Sequence, residues 1–136
     1  MRNPDKYIRG YLYNLLNNIT VDGVTVKCYD SHSPNNDSKA LIVLSTQSGR
    51  ETQSNKCGKD LESNIIVDII TRYPLNTGSR LLADNIKERV LELTQNPLIE
   101  NFIVQGVTIE FPSDLTQDSS TETIFRKLIK FNFKLS

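Results

Sequence analysis

Thr121-Glu-Thr-Ile-Phe-Arg-Lys-Leu-Ile-Lys-Phe-Asn-Phe-Lys-Leu135 alternates without a break. Phe125, Lys127, Ile129, Phe131, Phe133 and Leu135 fall on one face. Arg126, Leu128, Lys130, Asn132 and Lys134 fall on the other. A period of two with aromatic and branched residues on one side marks a half-buried strand. Such a strand must pair with others, so the segments upstream are read for what they pair and cover.

At the opposite end, Asn3 and Pro4 supply a cap and a first helical position,. Ile8, Leu12, Leu15, Leu16 and Ile19 then recur at helical spacing, flanked by Tyr7, Tyr11 and Tyr13,. Gly10 weakens this helix by up to about 1 kcal/mol relative to Ala and suggests close packing there. Asp22-Gly23 closes the segment with a turn. Val24 to Tyr29 reads as a short strand, and Asp30 to Lys39 as a polar loop. Ala40 to Thr46 is a nearly continuous apolar run, the pattern of a strand covered on both faces. Gln47 to Asp60 is polar, and Leu61 to Tyr73 is again a strand, so the two strands form a hairpin with a projecting tip. Pro74 stops it, and a second helix over about Ser79 to Thr94 aligns Leu82, Ile86, Val90 and Leu93. Phe102 to Phe111 is a strand with a turn or bulge at Gly106, and Pro112 to Ser120 a polar loop before the terminal strand.

The predicted order is α-β-β-β-α-β-β. It implies an α+β fold, a small antiparallel or mixed sheet of four to five strands with two helices packed on it. With 136 residues the chain is one domain,. Lys and Arg total 16 and Asp and Glu total 16, which argues against nucleic acid as the main partner,. Neither a signal-peptide pattern nor a membrane-length apolar run of ~18 residues occurs. Cys28 and Cys57 read as free thiols of a soluble intracellular protein.

Signatures of chemistry are sparse. His32 has no second ligand at metal spacing, and nothing brings it near Cys57 as a catalytic base. Gly58-Lys59 lacks the following Ser or Thr of a phosphate loop, and Gln53 replaces its first glycine. The element order resembles the restriction-endonuclease-like nucleases, which need clustered carboxylates around a divalent metal. The chain offers for that role one Asp-x-Lys, Asp37-Ser-Lys39, and Asp68 inside a strand. A loop and a sheet-face carboxylate explain both more simply. The basic hairpin (Arg50, Lys56, Lys59) and the face bearing Arg126, Lys130 and Lys134 could meet nucleic acid. However, no aromatic residue in the hairpin tip could stack a base, and strand lysines commonly guard edges.

Most of the chain resembles the tail-terminator or tail-completion family of tailed bacteriophages. The resemblance runs through Tyr7 to Leu16, Val24 to Tyr29, Ala40 to Leu44, Ile65 to Arg72, Leu81 to Ile86 and Thr121 to Phe131. It implies a structural virion protein, not an enzyme, without cofactor. It also implies a ring at the head–tail junction, six- or twelve-fold, that ends tube assembly and meets the neck connector. Its partners would be its own copies and tail-tube or neck proteins, with DNA only as cargo through the ring and no membrane. Assembly would occur in the host cytoplasm and the product would reside in the virion neck. Arg50, Lys56, Lys59 and Arg72 are the candidate interface residues.

Overall fold

A computed structural model describes residues 3–30, 39–55 and 58–136, with the side chains of 46, 52–55 and 58–59 outside the description. The expectations that rest on His32, Asp37, Lys56 and Cys57 therefore lie outside the described residues.

Helix α1 spans Pro4–Leu16. The Asn3 Oδ1 accepts from the Asp5 N–H at 3.0 Å, which satisfies one of the orphan donors at the helix start,. The helix stops where Asn18 takes a φ of 63°, so Ile19 leaves the helical stripe and opens strand β1, Ile19–Val21. Asp22 and Gly23 both have positive φ (51° and 77°), the requirement for a tight two-residue hairpin into β2, Val24–Asp30,. β2 pairs in parallel with β3, Ala40–Asn55. β3 pairs antiparallel with β4, Gly58–Pro74. After helix α2, Leu81–Leu93, come β5, Val104–Glu110, β6, Leu115–Asp118, and β7, Glu122–Leu135.

One mixed sheet results, ordered β1-β2-β3-β4-β7-β5, with β6 also on β7. The class is α+β as expected, but the described residues form seven strands where four to five were read from sequence. β1 is three residues long and β6 is a fully exposed four-residue strand inside the expected polar loop. Neither is long enough to show a period. The expected polar segment 47–60 is likewise extended: β3 and β4 stay paired through it, from Gln47↔Ile65 to Asn55↔Gly58.

Both helices cover one face of the sheet. Ile8, Leu12 and Leu16 of α1 and Leu82, Ile86 and Val90 of α2 are buried in one cluster with Ile42, Leu44, Ile65, Val67, Ile69, Ile129, Phe131, Phe133 and Leu135. β7 is thus the half-buried strand that its alternation predicted, lying between β4 and the outer strand. The opposite face also buries Leu41 and Val43, so the continuous apolar run Ala40–Leu44 is covered on both sides. On that second face Arg126 of β7 is paired with Asp68 of β4, whose side chain is 4% exposed.

The β4–α2 corner depends on Gly78, which has a φ of +93° and lies against the Tyr73 ring. A Cβ there would overlap the ring atoms, and the backbone sits where L-residues are strained,. Gly78→Ala is expected to lower stability by about 2 kcal/mol or more in a urea melt. The corresponding change at Gly10, where nothing lies within 4 Å, should be neutral or stabilising,. Gly10 is thus not the close-packing site that its place in the helix suggested; it is the floor of an open groove.

Candidate assembly surface

Among the described residues, three surfaces remain uncovered. The first is the outer edge of the sheet. β5 and β6 run in the same direction along β7 and form one outer strand interrupted at 111–114. Apolar groups at this edge stay exposed: Phe111 at 54% on the side of α2, and Leu115 at 40% opposite Arg126 on the other face; Leu81 at the start of α2 is 65% exposed. The Lys87 ammonium lies 4.1 Å from the Phe111 ring centroid. Beneath them, Lys127 occupies an otherwise apolar stripe and reaches Asp84 of α2 at 2.6 Å and Asp114 at 2.7 Å. Burial alone would lower its pKa. Hydrogen bonds to Asp114 and Asp84, with their charges, push it above the ordinary lysine value instead,.

The second surface is the long hairpin. β2 pairs with β3 only as far as Leu44, so from Ser45 onward one edge of β3 has no described neighbour strand. Bulges between Ser45 and Gln47 and between Thr52 and Asn55 interrupt that edge. β5 carries a similar irregularity between Val104 and Gly106. Such breaks are a common device against indiscriminate strand pairing, which leaves side-chain packing as the more specific contact.

The third surface is a groove of about 430 Å³ between α1 and the segment before β5, lined by Tyr7, Gly10, Tyr11, Leu15, Leu98 and Glu100. Leu98 is 85% exposed at its rim, and Ile103 is 70% exposed.

The sequence-derived interface residues do not converge. Arg50 of β3 is exposed and paired with Glu62 at 2.8 Å. Arg72 lies near the other end of β4, about 30 Å along the strand by the ordinary rise, and pairs with Glu122 at 3.8 Å,. Lys59 belongs to β4 with its side chain outside the description, and Lys56 lies outside the described residues. The exposed apolar residues were not singled out from sequence. Phe111 follows β5, the strand beyond β7, while Leu81 opens α2 off its apolar stripe and Leu98 precedes β5 at the α1 groove.

The chemical alternatives gain nothing from the geometry. Asp68 is buried against Arg126, which neutralises the carboxylate that a metal would need. The Lys39 ammonium stands 5.3 Å from the Tyr73 ring centroid. Among the described residues no group of three His, Cys, Asp or Glu side chains is placed to hold a metal ion. No helix among them is long and apolar enough to cross a membrane. Cys28 is buried, and burial together with Asp30 pushes its thiol up to about 12. In a Cys57→Ser variant, Cys28 should therefore react with a disulfide reagent at pH 8 only after unfolding. Prompt labelling of the native protein would contradict that environment.

By sequence, neither a protein-family model nor a curated protein matches the chain. Its fold is nevertheless found in a solved assembly. A chain from the structure described as the virion of a native gene transfer agent particle superposes with a TM-score of 0.64 at 13% identity. The match covers 98% of this chain and 99% of that one. At this identity the likeness is one of fold.

Proposed function

We propose that this protein is a structural subunit of a phage-like virion, and that it forms a ring at the head–tail junction that ends tube growth and joins the tail to the neck. The observation that carries this reading is the end-to-end fold match to a chain of a virion particle. The sequence resemblance to tail-terminator and tail-completion proteins is what favours the head–tail junction as its place in such a particle. Physically, a subunit with different sticky surfaces on different sides associates head to tail, and a closed ring follows when the rotation closes. The outer edge with Leu81, Phe111 and Leu115, the groove with Leu98, and the hairpin carrying Arg50 and Lys59 are the surfaces available for this.

On this reading the partners are its own copies, six or twelve to a ring, and the tail-tube or neck proteins. DNA passes through the ring as cargo, and the subunit is assembled in the bacterial host cytoplasm. No step breaks a bond. Replacing Leu81 and Phe111 by Ser should leave the circular dichroism spectrum and melting unchanged. It should abolish formation of rings seen by negative-stain microscopy in the presence of the tube or neck protein. Rings formed undiminished by that variant would remove the outer edge from the interface.

A further inference from the structure

A second role emerges from the lysine buried among apolar neighbours. The outer strand is weakly held. β7 residues 127–129 have no strand partner on that side, because β5 stops at Glu110↔Lys130 and β6 starts at Leu115↔Arg126. All four residues of β6 are exposed, so little apolar burial keeps it in place,. The turn into β7 is tied by Ser119, whose N–H donates to the Glu122 carbonyl at 2.9 Å, and by the Thr123 hydroxyl donating to Asp118 at 2.7 Å. The other end of the segment is fixed by Asp114 on Lys127 and by Phe111 under Lys87.

Register is the physical problem that Lys127 addresses. A shift of two residues along β7 would keep every side chain on its own face, so alternation alone cannot exclude it. Such a shift of segment 111–118 would set Phe125 or Ile129 against Asp114 and leave its carboxylate without the ammonium, which Asp84 of α2 keeps in place. Ion clusters of this kind add little net stability over apolar packing, and their best-attested use is to specify geometry.

We propose that Lys127 is a latch: bridging α2 and the 111–114 link, it holds segment 111–118 in one register against β7, and the segment opens as a unit when the bridge is removed. What the latch controls is access to the β7 main chain over residues 123–126. This inference does not depend on the proposed ring.

Amide hydrogen exchange read by mass spectrometry tests it in two variants, Lys127→Met and the milder Asp114→Asn, at a partly exposed position. Exchange in peptides covering 111–118 should accelerate at least ten-fold in both, while β3 and β4 peptides stay within two-fold of the parent. In the double variant, exchange over 111–118 should be no faster than in Lys127→Met alone. Unchanged exchange over 111–118 in both variants would overturn the proposal. So would equal acceleration in every peptide, which would make Lys127 a general contributor to stability.

Discussion

Phe131→Ala should cost about 3–5 kcal/mol of unfolding free energy, the range for truncating a fully buried aromatic side chain. Phe131 is fully buried in the middle of β7. It faces Ile65 of β4 and Ile109 of β5 in register and stacks on Phe133 with centroids 6.0 Å apart. The flanking strands are long and paired on both sides of β7, so the site cannot collapse to refill the space. Because domains have roughly 5–15 kcal/mol in total, the variant would sit near the limit of foldability. A fall in Tm of about 10 °C or more is expected in calorimetry. Thr108→Ala, an exposed change on neighbouring β5, should stay within about 0.5 kcal/mol,. A Phe131→Ala loss below about 1 kcal/mol would show that β7 is not the centre of the core.

The second large effect lies on the other face. Asp68→Ala removes the partner of the Arg126 guanidinium, whose residue lies between Ile70 of β4 and Leu115 of β6 in register, and should cost about 3 kcal/mol,. The lower end of the usual range is expected because the Arg126 side chain is 29% exposed and water can screen it,. Replacing both partners, Asp68→Leu with Arg126→Met, should recover most of that loss. The penalty comes mainly from stranding one charge. A double variant as unstable as Asp68→Ala would instead make the ion pair itself a strong net stabiliser. Denaturant midpoints for the three variants decide between these outcomes.

The elements that were legible in the sequence are those with long regular patterns or strong punctuation. β7 declared itself by alternation, and α1 by Asn3-Pro4 followed by Ile8, Leu12 and Leu16. Both faces of the run Ala40–Leu44 proved buried, as its continuous apolarity indicated. What was hidden was hidden for physical reasons. β1 and β6 are shorter than two periods of a strand. Beyond Ser45 the described side chains of β3 are polar, and Gln47 and Ser63 of β4 are held by hydrogen bonds to Arg9 and Asp5 of α1, so the extended pairing there leaves no apolar alternation to read. The candidate surface was less legible still. A sequence states that Leu81, Leu98, Ile103 and Phe111 are apolar. Whether they are core or surface depends on the strand order, which places β5 beyond β7 at an edge that the two helices leave bare. Charge was a poor guide, since Arg50 and Arg72 mark opposite regions of one hairpin and each already has a carboxylate partner.

Light scattering of the purified protein, alone and mixed with a tail-tube or neck protein, tests most directly whether it closes into the proposed ring. A closed multiple of the subunit mass, six or twelve copies, is expected in the mixture and should be lost in the Leu81→Ser, Phe111→Ser variant. A protein that remains monomeric in both samples would contradict the central claim.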